Sequence, residues 1–479
     1  MISVHHPGAT AALGDLSGFR KAFYDCLTAR ADALFELTDA ALCADGPVTS
    51  LVELSLAVEH RRGHGSLYGG VNQGRVDIGK LRNIVARQQI PRCDDGRIVL
   101  GIDVSNWLRP DANTSPDRLF CHTYARGKGQ AQMIPGWPYS FVAALEPGRT
   151  SWTAILDAQR LRPDDEDTAV AAAQLRAVVE QLIAAGHWRD GDPEIWIVGD
   201  TGYDGARLAF LLTDLPVRVL VRVRSDRVMA FPAPPRRTGA AGRPARHGAE
   251  FAFAAPATWP EPAHTTTTHT TRYGTARARC WDRLHPRLTR RGTWAGHDGD
   301  LPIIEGTVIR LQVDRLPGDG TPKPLWLWHS GTAATAAEVD RLWQMFLRRF
   351  DLEHTFRFLK QTLGWTKPRL RTPSAADRWT WLIIAAHTQL RLTRHLVEDL
   401  RRPWEKAITT PGRLTPARVR RGFRNIRPTT TLPASAPKPS RPGPGRPAGS
   451  RNTHRATICH VGKTTKTDTA VTTKAKQEG

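Results

Sequence analysis

The sequence predicts an α/β fold. A mixed five-stranded sheet with flanking helices is expected, with a β-rich insertion ahead of a late charged helix, a small helical unit in front and a basic tail behind. Three observations lead there. The apolar period is helical up to about residue 88, becomes strand-like from Arg97, and then alternates strand and helix to about residue 226. A second β-rich stretch follows, and helices resume only after about Thr335. The surplus of positive charge collects at the C-terminal end.

A chain of 479 residues exceeds what one hydrophobic core usually serves, so several units are expected. Residues 1–92 read as an N-terminal helical unit, either DNA-binding or a cap on the next domain. Residues 93–226 read as the first part of an α/β core, 227–335 as the insertion and 336–403 as the second part of the core. Residues 404–479 read as a Pro/Thr-rich, basic, disordered tail.

In order along the chain, "FRKAFYDCLTARADALFELTDAALC" has helical spacing and stops at the turn residues of "ADGP". "RIVLGIDVSNW", "RLFCHTYAR" and "YSFVAALE" are β-rich runs at hairpin-like spacing. A helix is expected over "DEDTAVAAAQLRAVVEQLIAAGHW", which carries acids in its first turn. Strand "EIWIVGD", helix "GARLAFLLTDL" and strand "VRVLVRVRSD" come next. Three meandering strands, helix, strand, helix and strand is the order of a ribonuclease-H-like mixed sheet. In the insertion, "IIEGTVIRLQVDRL" and "PLWLWHS" read as paired strands, and "HTTTTHTT" as a β-prone loop. Helices are expected at about 336–363 and 375–400.

Composition narrows the function classes. There are 68 Lys and Arg against 46 Asp and Glu, and residues 401–479 hold 18 basic against 3 acidic residues, which points to a polyanionic partner. No apolar run is long enough to span a membrane and the N-terminus lacks the order of a secretory signal, so a soluble cytoplasmic protein is expected. The six cysteines never form CxxC, which argues against a disulfide framework or a structural zinc site. His264 and His269 have no Cys or carboxylate at ligand spacing. No Walker-type phosphate loop occurs, so no nucleotide cofactor is implied.

Asp103, in "VLGIDVS", is an acid among apolar residues of a strand, and a buried carboxylate needs a cation, a hydrogen-bond donor or an exposed strand end. Asp200 ends the strand "EIWIVGD", where open α/β sheets place ligands, although it or Asp204 could equally cap the next helix. The stretch "FLRRFDLEHTFRFLKQ" decides between these readings. On a helical wheel Phe346, Arg349, Glu353 and Lys360 share one narrow file, beside an apolar file of Met345, Leu352, Phe356, Leu359 and Leu363. Packing through the apolar file holds Glu353 toward the strand ends that carry Asp103 and Asp200. Three converging carboxylates suit two Mg²⁺ ions, for which Mn²⁺ can substitute, about 3.5–4 Å apart in phosphodiester cleavage.

The spacing Phe346-x2-Arg349-x3-Glu353-x6-Lys360 resembles the Tyr-Arg-Glu-Lys signature of DDE-type transposases of bacterial insertion sequences, with Phe for Tyr. "GIDVS" and "VGDTGYDG" are similar to the segments that hold that family's first two catalytic acids. The resemblance spans about residues 97–401. It implies a ribonuclease-H-like domain with Asp103, Asp200 and Glu353 as catalytic metal ligands, cleaving the element's terminal inverted repeats and joining them to target DNA, as a dimer in the synaptic complex. It also implies that Arg349, Lys360 and Phe346 meet DNA, and makes Trp294, Trp326 and Trp328 candidates to stack on an extruded base. Arg222 and Arg224 are candidates for backbone contacts, and Arg441 and Arg446, in "RPGPGRPAGS", for a minor-groove hook or a tail that follows phosphates. Two other readings stay open: a catalytically idle DNA-binding relative, and a Mg²⁺-dependent phosphatase of the haloacid-dehalogenase type. The latter is similar in "VGDTGYD" but has Ser105 where it needs a second acid.

Overall fold

The computed structural model describes residues 7–462 apart from 64, 125–130, 149, 237, 239–240, 318–320, 409–411, 439–446, 452 and 454–455. The front of the chain forms α1 (Pro7–Tyr24), β1 (Leu27–Ala29), α2 (Ala31–Cys43), α3 (Leu51–Leu54), α4 (Gly65–Gln73), β2 (Arg75–Val76) and α5 (Ile78–Ala86). The core follows as β3 (Val99–Leu108), β4 (Leu119–Tyr124), β5 (Ala131–Leu145), β6 (Thr153–Arg160), α6 (Asp167–Ala184), β7 (Ile195–Gly199), α7 (Gly205–Leu211) and β8 (Val217–Val223).

Central strands run in the order β6-β5-β3-β7-β8. β5 is antiparallel to both β6 and β3, while β3, β7 and β8 are parallel. The order is the one expected, but the membership differs. "RLFCHTYAR" is β4, a ribbon on the first part of β5, and "YSFVAALE" is the later part of β5 itself. The remaining member of the meander is "TAILDAQR", β6, which has no sequence signature. It is buried at every position but Gln159, so no alternation marks it. Its Asp157 is held by Arg82 and Gln174.

The insertion supplies β9 (Val228–Pro232), β10 (His247–Ala252), β11 (His264–Thr270), β12 (Gly274–Pro286), β13 (Gly306–Val313) and β14 (Leu325–His329). It extends the same sheet. β14 pairs antiparallel with β8, from Trp326↔Val223 to His329↔Leu220, and the sheet reaches twelve strands where five were expected. "HTTTTHT" is strand β11, paired with β12 along its whole length. Phe251, Phe253, Trp259, Trp281 and Trp326 pack together here, with Phe253 and Trp326 stacked at 4.3 Å between centroids.

Helices α8 (Ala336–Arg348), α9 (Phe350–Gln361) and α10 (Pro373–Thr393) complete the core. A Thr335–Glu338 capping box starts α8. α10 is buried along nearly its whole length and is the post around which α1, α2 and α4 pack. Arg20 ties this assembly together by donating to both carboxylate oxygens of Asp39, at 2.7 and 2.8 Å, and to Gln389 at 2.7 Å.

The expectation of disorder from residue 404 is corrected over the described residues. Residues 416–426 form α11 (Pro416–Ile426), which buries Val419, Phe423 and Ile426. Arg420 donates to the Ala41 carbonyl at 2.9 Å and Arg424 to that of Cys43 at 2.8 Å, so two arginines satisfy carbonyls that the end of α2 leaves unpaired. Farther on, the Cys459 amide donates to Asn113 and Val461 bridges Arg118. Among the described residues no helix is long and apolar enough to cross a membrane.

Candidate active site

Register brings the first two acids level. Gly101 of β3 lies opposite Val198 of parallel β7, and Asp103 and Asp200 each stand two residues farther along their strands. Asp200 does not cap the helix that follows. Asp204 does, accepting from the Arg207 amide at 3.1 Å and also from the Thr293 hydroxyl and the Trp294 indole. Asp200 is left at the open end of its strand with Thr201 as its donor.

The third acid arrives by close packing. α9 lies against β3 where Gly101 has no side chain; a Cβ there would stand 2.9 Å from Leu352 and 3.0 Å from Leu145. Leu352, Phe356, Leu359 and Leu363 are buried, as the apolar file requires. The helix is not continuous, however. It breaks at Arg349, which ends α8 and precedes α9. The backbone of Arg349 stays helical in its dihedrals, and its side chain is 5 % exposed.

Arg349 is the hub of the site. Its Nη1 donates to Asp103 at 2.7 Å, and its Nη2 is 3.9 Å from both Asp200 and Glu353. The last two contacts share one nitrogen, so the Asp200 and Glu353 carboxylates are no farther apart than twice that distance. Glu353 itself is 56 % exposed. Burial pushes the Asp103 carboxyl up to about 6, against the opposing pull of Arg349 and of its bond from the Val104 amide. Asp103 and Asp200 open on a depression of about 170 Å³ that also takes in Asp167, from the first turn of α6. Asp167 was legible only as an acid near a helix start.

A second hollow, of about 550 Å³, adjoins the first at Gly202 and Tyr203. Arg222, Arg224 and Arg227 line one side of it, and Arg287 and Arg291 the other. Arg224 pairs with Asp226 and Arg287 with Glu250, while Arg222, Arg227 and Arg291 make no ion pair with a described carboxylate. Sequence reasoning found the first two arginines and missed the others, although "PRLTRRG" is a visible basic cluster.

Several other expected DNA contacts stand in buried or half-buried settings. Phe346 is 1 % exposed and lies beneath Arg349, whose guanidinium is 5.9 Å from its ring centroid. Trp326 and Trp328 are 3 % and 2 % exposed, the first inside the aromatic cluster and the second bonded to the Leu284 carbonyl, so neither offers a face to a base. Trp294 is buried as well, beneath Arg207. Lys360 lies two turns beyond Glu353, half-buried, with its ammonium 5.7 Å from the Trp365 ring; burial lowers its pKa. Among the described residues it makes no ion pair with a carboxylate. Arg441 and Arg446 lie outside the described residues.

Donor chemistry fits a hard divalent cation, because the set is carboxylate oxygen only, on adjacent strand ends. The spacing, with Arg349 among the acids, does not yet make a cage: among the described residues no three His, Cys, Asp or Glu side chains are grouped as metal ligands.

A mixed α/β sheet in this order, with acids on neighbouring strand ends, is compatible with a ribonuclease-H-like nuclease fold. Residues 22–287 match the family described as DDE superfamily endonuclease, which is more than half of the chain, and the protein belongs to that family. The match includes Asp103 and Asp200 and ends before the helix that carries Glu353. No curated protein matches the chain.

Proposed function

We propose that the protein is a transposase that cleaves DNA at the ends of an insertion sequence and transfers the strands to target DNA. The observation that carries this reading is the gathering of Asp103, Asp200 and Glu353 around one guanidinium, at the strand ends of a DDE endonuclease fold. These three acids would hold the metal. Bound there, two Mg²⁺ ions, or Mn²⁺ in their place, supply an activated oxygen and neutralise charge in phosphodiester cleavage. Asp103 is the most buried of the three and is paired with Arg349 at 2.7 Å.

The protein's own residues do the rest. Arg222, Arg227 and Arg291 present free positive charge to a strand that leaves the acids by way of Gly202 and Tyr203, and Arg224 and Arg287 add to the field. The acid-poor C-terminal residues add non-specific hold on phosphates. The functional unit on paired DNA ends is a homodimer, working in the cytoplasm at the nucleoid.

The idle DNA-binding relative has one observation on its side: Glu353 is more than half exposed and beyond hydrogen-bond distance of Arg349. A single comparison separates the two readings. Glu353→Gln is expected to abolish Mn²⁺-dependent cleavage of the element's ends while retaining their binding, measured by nicking and gel-shift assays on the same DNA. Cleavage at the wild-type rate would remove Glu353 from the chemistry, and a wild-type protein without cleavage would favour the idle relative.

A further inference from the structure

Two buried arginines in this protein are bonded very differently. Arg20 uses four of its five N–H donors: it makes two short bonds to Asp39, one to Gln389 and one to the Thr431 carbonyl. Arg349 is as well buried but makes one short bond, to Asp103. Its contacts to Asp200 and Glu353, at 3.9 Å, are within Coulombic reach and outside hydrogen-bond reach. Its Nε is buried without a partner among the described residues, which costs free energy. Phe346 and Phe350 offer ring faces to the guanidinium, at 5.9 and 5.1 Å, and no acceptor. Arg349 is thus held by the summed charge of three acids more than by directed bonds. That is how a mobile cation is held.

We propose that Arg349 is a built-in counter-ion: its guanidinium stands in for a divalent cation among Asp103, Asp200 and Glu353, keeps them near one another, and must leave when a cation binds. The proposal rests on reading the three acids as metal ligands, and adds that the ligands already carry a resident competitor. A guanidinium and a divalent ion cannot share the space, because the donors that one needs are the same lone pairs. Removing a unit positive charge at this range strengthens cation binding, whereas removing a mere structural brace would weaken it. The two roles predict opposite signs.

The test is Mn²⁺ titration of the full chain by calorimetry, without DNA, for the wild type, Arg349→Met and Arg349→Lys, with Asp103→Asn locating the signal. Arg349→Met is expected to bind Mn²⁺ about ten- to a hundredfold tighter than the wild type, with Arg349→Lys in between. Its melting temperature should fall without metal and recover at saturating Mn²⁺. Equal or weaker Mn²⁺ binding by Arg349→Met would overturn the proposal and leave the proposed function standing; no Mn²⁺ binding by any of the proteins would overturn both. Should Arg349→Met not fold, the wild type carries the test. Phenylglyoxal labelling of Arg349, read by mass spectrometry, should rise at saturating Mn²⁺, and unchanged labelling would overturn the proposal.

Discussion

On one side of the Asp200–Asp204 turn, three carboxylates crowd around a single arginine; on the other, arginines line a hollow and three of them have no acid partner among the described residues. Elsewhere the protein pairs its charges well, as Arg20 with Asp39 and Arg418 with Asp399 show. At the site the imbalance has opposite sign in adjoining hollows. Such a surface is completed by something from outside that brings both signs, and a phosphodiester strand with its divalent cations does so.

The comparison can be broken from the acid side first. Asp200→Asn is expected to slow Mn²⁺-dependent cleavage at least about a thousandfold, some 4 kcal/mol of barrier, with DNA affinity retained. Parallel loss of affinity, measured by anisotropy, would mean that the two hollows are not separate in function. From the arginine side, the combined variant Arg222→Ala, Arg227→Ala, Arg291→Ala should weaken DNA binding about a hundredfold at moderate salt and flatten the log–log salt slope by about 2 to 3. An unchanged slope would show that DNA takes another route.

Packing comes next in size. Gly101→Ala places a methyl against Leu352 and Leu145, and should cost about 2 kcal/mol in urea unfolding while reducing cleavage, because Glu353 moves with Leu352. Full activity in that variant would mean that the Glu353 position is not set by this contact. The smallest effect is on pH dependence. Asp103 holds its proton up to about 6 when folded, above its value in the unfolded chain, so its contribution to stability is complete below about pH 4 and is lost as pH rises through 6. Relative to Asp103→Asn, the wild type should lose up to about 3 kcal/mol of stability across that window, read from urea midpoints. The variant serves as reference because Asp351, raised to about 7 by burial, titrates in both proteins.

Much of this site was legible. A parallel pair of strands ending in acids and a helix with adjacent charged and apolar files give the Asp103–Asp200–Glu353 grouping, because strand register and helix period are local rules. The parts that failed depend on distant contacts. Phe346 and Lys360 share the charged file, but Arg349 covers the first and the second stands against the Trp365 ring. Trp326 and Trp328 alternate with two leucines, and β14 is buried between β8 and β13. β6 was invisible because its polar residues are buried with partners. α11 was hidden by composition: Val419, Phe423 and Ile426 are its only strongly apolar side chains in a basic stretch. What covers a residue, as against which way it points, is not written nearby in the chain.

The pairing of β14 with β8 has a mechanical consequence. The arginine hollow has one wall at the end of β8 and the other on the turn after β12, and both belong to one hydrogen-bonded sheet. No hinge lies between them. A jaw that opened there would have to tear the ladder from Val223–Trp326 to Leu220–His329. Helices α8 and α9, which bring Arg349 and Glu353 to the acids, are held to the sheet by side-chain packing and not by a ladder of this kind.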